Sequence, residues 1–202
     1  MAKTAIEGKA GGTPRDRYAE LMVIIVVLVA LVLAWGVKAG AETRAVHIEV
    51  EGLSASYGYN WSRGQVSAPD ILKISNPSAG ARFQTTITVS ASVVSDASET
   101  TDALDAVAKT LNQRRLQDKE LYQFLGGETV DWRGRAARRN QFAYVYVSAD
   151  LLNPQVPVVL HGVDHIFAQG DTLYVVTLLT DESVYDDALV ELERFLNSIT
   201  FK

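Results

Sequence analysis

Cysteine is absent from the 202 residues. Disulfide frameworks, thiolate metal sites, cysteine nucleophiles and lipid attachment through cysteine are therefore excluded, although the compartment is not, because many exported proteins lack disulfides too. Histidine is scarce, with three in the chain. No Gly-x-Ser-x-Gly elbow singles out a serine for a catalytic triad. Gly126-Gly127 is followed by Glu128 and lacks the lysine and hydroxyl residue of a phosphate loop, so it reads as a turn. No Pro-, Gln- or Ser-rich linker divides the chain beyond residue 44, and no repeat of roughly 20 to 50 residues is visible. Basic residues are the minority charge, 19 Lys plus Arg against 24 Asp plus Glu, which argues against a nucleic-acid partner.

What is present is apolar substance: 48% of residues are hydrophobic, enough for a packed core and too many for a disordered chain. The longest uncharged run is Leu21 to Val37, LMVIIVVLVALVLAWGV, seventeen residues between Glu20 and Lys38. At about 1.5 Å per residue it covers about 25 Å, and flanking side chains reaching toward the headgroups would make up the rest of a bilayer. A single-pass transmembrane helix over 19–38 is the expectation, with Leu21, Ile24, Val27, Leu28, Leu31 and Trp35 as its membrane anchor. A buried soluble helix is the alternative, but such helices rarely go so long without a polar stripe. Ala39-Gly40-Ala41 also has the small-x-small pattern of a signal cleavage site; the long run, its polar lead-in and Lys38 favour retention.

Lys3, Lys9, Arg15 and Arg17 precede the run, whereas Lys38 and Arg44 follow it, so the N-terminus is expected in the cytoplasm and the rest outside the cell membrane. The chain thus divides into a polar arm (1–18), a helix (19–38), a short linker (39–44) and one folded domain (45–202) with 13 basic and 20 acidic side chains.

Within the domain, Gln141 to Val147 and Leu173 to Leu179 are apolar on both faces, as central strands covered on two sides must be. Val156 to Ala168 reads as a strand between them, and Gln169-Gly170-Asp171-Thr172 as a tight reversal that makes the last pair antiparallel. Less periodic strands are expected at Ala45 to Glu51, Ile71 to Ser75 and Phe83 to Val94, with a hairpin at Glu128 to Trp132 turning through Arg133-Gly134-Arg135. One helix is expected from Thr101 to Asp118. Another carries Tyr185, Ala188, Leu189, Leu192, Phe195, Leu196 and Ile199 on one face, with Ser183 as N-cap and Asp186-Asp187 accounted for by the helix dipole. The helices should cover opposite faces.

Candidate chemistry is thin. On a helix His161 and His165 would share a face and could hold a metal, but the β-branched residues around them favour a strand, where they stand about 13 Å apart, too far for one ion. His47 has no partner in sequence. Asn60-Trp61-Ser62 matches a glycan acceptor, though Trp61 reads as a packing residue. Arg133, Arg135, Arg138 and Arg139 form a basic cluster on an acidic domain. It is either a solvated hairpin or an interface for a partner's carboxylates, which guanidinium groups bind in bidentate fashion.

Three segments carry a resemblance: Gly52-Leu53-Ser54-Ala55-Ser56-Tyr57-Gly58-Tyr59-Asn60-Trp61, the hairpin Val130 to Arg135 leading to Phe142-Ala143-Tyr144-Val145-Tyr146, and Asp171 to Thr177 followed by the helix and Phe195 to Phe201. In order and character they resemble the PsbP family, extrinsic proteins of photosystem II. The resemblance spans most of 45–202. It implies an α/β/α sandwich, so that with the transmembrane helix read from the apolar run, which departs from the family's soluble plant members, the expected fold is α+β with a largely antiparallel central sheet. It further implies a non-catalytic domain, without cofactor, that docks on a larger assembly and stabilises it; no metal ligands carry over. The expected role is a single-pass subunit of a photosynthetic or respiratory membrane complex, with the membrane and neighbouring subunits as partners. The alternative is a free, membrane-tethered, extracytoplasmic ligand-binding module.

Overall fold

The computed structural model describes residues 14–42, 44–77, 80–94, 101–147 and 156–201. The chain forms two units, 1–44 and 45–202.

The first unit contains helix α1 (Pro14–Glu42). Proline suits a first helical position, since its missing N–H would be unpaired there anyway. The helix begins inside the expected arm and continues through 39–42 of the expected linker; residues 1–13 of the arm lie outside the described residues. Among the described residues no helix is long and apolar enough to cross a membrane. This overturns the expected transmembrane segment. The anchor side chains Leu21, Ile24, Val27, Leu28, Leu31 and Trp35 are all exposed on α1, but the described apolar positions end at Val37. Seventeen residues rise about 25 Å, short of a hydrocarbon layer of about 30 Å.

The second unit runs β1 (Ala45–Val50), β2 (Leu53–Gly58), β3 (Ser62–Arg63), β4 (Asp70–Asn76), β5 (Thr85–Val93), α2 (Thr101–Asp118), β6 (Gln123–Trp132), β7 (Arg135–Tyr146), β8 (Val158–Gln169), β9 (Thr172–Asp181), α3 (Tyr185–Ser198) and β10 (Thr200–Phe201). One central sheet was expected; there are two, and every pairing in both is antiparallel. Seven strands lie in the order β3-β4-β5-β9-β8-β7-β6, and β1-β2-β10 form a small second sheet. The second sheet arises because Glu51-Gly52, both at positive φ, turn β1 straight back on β2, whose other edge takes Thr200 and Phe201 just beyond α3.

Side-chain alternation sorts the large sheet into two faces. On one, Val163, Phe167, Tyr174, Val176 and Leu178 meet Leu192, Phe195 and Leu196 of α3 together with Leu53 and Ala55 of the small sheet. On the other, Ile166, Leu173 and Val175 meet Leu104 and Ala108 of α2. Each fully buried Leu or Phe contributes roughly 1.5–3 kcal/mol, so these contacts fix where the helices sit. Asp181, and not Ser183, caps the turn into α3: its carboxylate accepts from Ser183 N at 2.9 Å and Ser183 Oγ at 2.8 Å.

Gly162 pairs with Phe142 across β7 and β8, and the ring lies over the glycine. A Cβ at 162 would stand 2.0 Å from Phe142 Cζ. The ring cannot lift, because the Arg115 guanidinium rests 3.9 Å above its centroid. Gly162→Ala should therefore destabilise the protein by about 1–3 kcal/mol. Urea denaturation reads this directly, and an unchanged midpoint would mean that the ring has room to move.

Candidate functional site

The strand register decides what becomes of the four arginines. Arg133 occupies the β6–β7 turn at φ 57° and donates to the Ile199 and Asn197 carbonyls at the end of α3. A cation there satisfies terminal carbonyls and complements the helix dipole, so Arg133 clips the hairpin to α3. Arg135 donates to Gln169 Oε1 on β8. Arg138 and Arg139 are neighbours in sequence and therefore project from opposite faces of β7. Arg138 reaches Asp105 of α2, Nε to Oδ1 at 3.3 Å. Arg139 turns to the other face, 3.9 Å from Glu128 and beside His165, its register partner on β8. The four do not form one patch.

His161 and His165 both lie on β8, as their surroundings predict. Nε2 of His161 is 3.8 Å from Glu182, and its ring packs 5.0 Å from that of Tyr185. His165 is largely buried, and among the described residues its Nδ1 has no hydrogen-bond partner. Burial, and then the positive charge of Arg139, lower its pKa to about 4 against the pull of Asp164, so the ring is neutral at physiological pH. His47 bridges two strand hydroxyls, Ser54 and Ser56. Among the described residues no group of three or more His, Asp or Glu could hold a metal.

Sequence reasoning passes over the concave site, which lies on the α2 face. A groove of about 520 Å³ runs between α2 and the β6–β7 hairpin. Ala108 and Leu116 from α2, with Tyr122 and Phe124 beside β6, make its apolar wall. The Tyr122 hydroxyl donates to Asn112 at 2.6 Å, and burial raises its pKa against the opposing field of Arg115. Asp105, Lys109, Arg138 and Asn140 supply polar groups. Asn140 is 1% exposed; its Oδ1 accepts from Arg138 Nε at 3.3 Å, whereas its Nδ2 has no partner among the described residues. A buried donor left unpaired costs about 1–3 kcal/mol, a penalty few side chains carry without a role. The only sequence sign was an Asn on the strand face otherwise held by Ala136, Arg138, Phe142 and Tyr144.

On the same face of the sheet lies a buried ion pair between α2 and β8. Asp164, fully buried, accepts from Arg115 Nη1 at 2.5 Å and Nη2 at 2.8 Å, and from Thr177 Oγ1 at 2.7 Å. Burial works to lower the Arg115 pKa, but the Asp164 contacts outweigh it and the net shift is upward. The pair is a charge-assisted strut that ties α2 to β8.

No family model and no curated protein sequence matches the chain. Solved structures do. Cyanobacterial PsbP (CyanoP) from Synechocystis superposes with a TM-score of 0.55 at 15% identity, covering 78% of this chain and 92% of that one. The Ran-binding protein Mog1p of Saccharomyces cerevisiae gives 0.52 at 12% identity, covering 78% and 95%. LpqN of Mycobacterium tuberculosis, involved in cell envelope biogenesis, gives 0.49 at 14% identity, covering 79% and 90%. At these identities the likeness is one of fold.

Proposed function

We propose that the unit 45–202, having the fold of cyanobacterial PsbP and Mog1p, is a non-catalytic accessory module that docks on another protein. The observation that carries this reading is the free edge of the large sheet. β6 ends the strand order, and among the described residues no strand pairs with its outer side. It is ten residues long and carries neither lysine nor proline, two of the guards of an exposed edge, and its pairing with β7 is regular from Gly126 to Trp132 beyond an irregularity at Leu125, whereas the opposite edge strand β3 has two residues. Leu121 and Leu125 stand at its start, 80% and 46% exposed. Unpaired backbone groups beside exposed leucines suit an extended segment of a partner protein, which would add as a further strand. That Mog1p is a Ran-binding protein supports the scaffold as one compatible with protein docking. The acidic charge of the unit favours a protein partner over nucleic acid.

The test places a photo-crosslinking residue at position 125 of the full chain, with a control at exposed Val190 on α3. Position 125 should capture one defined protein from a native extract, position 190 should not, and Leu121→Asp with Leu125→Asp should cut capture at least about tenfold at unchanged thermal stability. Equal capture at both positions, or undiminished capture by the double variant, overturns the reading.

A further inference from the structure

We infer that the groove between α2 and the β6–β7 hairpin is a binding site for a small amphipathic carboxylate, a function separate from docking at the β6 edge. Three observations converge on that chemistry.

The first is the orphan donor. Asn140 is almost wholly buried, lines the groove and has an unpartnered Nδ2. Its orientation is set by Arg138, whose Nε donates to Oδ1. Turning the amide over would set two donors face to face, so the unmet group is the N–H donor and the missing partner is an acceptor oxygen. The second is charge. Arg138 and Lys109 are cations on the rim, against the single carboxylate of Asp105, which Arg138 already engages. An anionic head is therefore favoured on a domain that is otherwise acidic. The third is shape. Leu116 is 67% exposed and Phe124 44% exposed, and with the Tyr122 ring they offer an apolar bed in a volume within the range of small-ligand sites, roughly 300–1,000 Å³.

Gly127 shows that the polar wall needs this room. Its φ is ordinary, so the backbone does not demand glycine. A Cβ there would stand 2.5 Å from Asn140 Oδ1 and 2.8 Å from Arg138 Nη2. The missing side chain is what lets these two groups lie side by side across β6.

The experiment follows the Asn140 side-chain amide in nitrogen-15 spectra of the full chain. The probes are 4-phenylbutyrate and decanoate, with 4-phenylbutylamine and decylamine as charge-reversed controls. The acids should produce a saturable shift of the Asn140 NH2 signals and the amines none. By backbone signals, Asn140→Leu should weaken acid binding at least about tenfold, the effect of losing one charge-assisted hydrogen bond. Lys109→Glu, at an exposed position where folding is not in question, and Gly127→Ala should each weaken it several-fold. Leu121→Ser with Leu125→Ser, uncharged changes outside the groove lining, should leave it unchanged. Absence of a saturable shift, equal binding of the amines, or undiminished binding in Lys109→Glu and Gly127→Ala overturns the inference.

Discussion

Replacing Asp164 with alanine should cost the protein about 3–5 kcal/mol, the usual penalty for stranding one member of a buried ion pair. Asp164 is fully buried, and its two carboxylate oxygens take both Nη groups of Arg115 and the Thr177 hydroxyl. Alanine leaves the Thr177 hydroxyl without its acceptor and the Arg115 guanidinium with only the Tyr122 hydroxyl beside it. The guanidinium cannot simply swing out to water, because it is also the cover over the Phe142 ring. The pair itself adds little net stability, since desolvating two charges consumes most of their attraction. Arg115→Met together with Asp164→Leu should therefore fold within about 1–2 kcal/mol of the parent. Urea titrations of the single and double variants separate the two effects. A loss below about 1 kcal/mol for Asp164→Ala would show that the site is wet and the pair dispensable.

Stability should also fall on mild acidification, through His165. In the unfolded chain an imidazole titrates near 6.5, whereas in the folded protein burial and Arg139 hold His165 at about 4. Because the folded pKa is the lower, the unfolded state takes up the proton first. The contribution of the neutral ring is complete above pH 6.5, declines as pH falls toward 4 and is exhausted below that. A gap of about 2.5 units corresponds to about 3 kcal/mol, reduced somewhat by the ring's partial exposure. The charged groups that act on it are Arg139 on β7, which opposes protonation, and Asp164, its strand neighbour on the opposite face of β8, which favours it. The Asp181 carboxylate, held below its ordinary value of 3.8 by Ser183 and Arg82 against burial, acts in a separate window: its contribution is lost only as pH falls through the lowered value. His165→Phe should therefore flatten the dependence between pH 6.5 and 4 and leave the acid limb below 4. Parallel stability curves for parent and variant across that interval would reject the assignment.

How far the residues alone led depends on the range of the interaction concerned. The helix expected from Thr101 to Asp118 occupies those residues, and the strands through Tyr144, His161 and Val175 lie where their apolar runs place them. Placing His161 and His165 on a strand also removed them as a shared metal site. Such features are written in local periodicity, and each segment's burial pattern is its own evidence. The membrane segment failed for a related reason. An apolar run shows that water is disfavoured, but whether the helix spans a bilayer turns on a few residues at its ends, and the described run is too short.

The groove and its supports were not legible in this way. Asp164 lies between the two histidines and drew no reading of its own, yet its partner is Arg115, forty-nine positions earlier, brought over it by the packing of α2. Four arginines close together in sequence read as one cluster, but alternation on β7 sent Arg138 toward α2 and Arg139 toward α3. Asn140 showed in the sequence only as a lone amide on its strand face, because an unpartnered amide can be recognised only when everything around it is in place.

The order of helices and strands, the acidic charge and the absence of thiol chemistry follow from the sequence alone, since each depends on residue types and short-range spacing. Which edge of the sheet stays open, which arginine meets which carboxylate, and where a buried donor is left facing a groove were decided by the tertiary structure. These are contacts between segments far apart in the chain, whose geometry exists only after the core has closed.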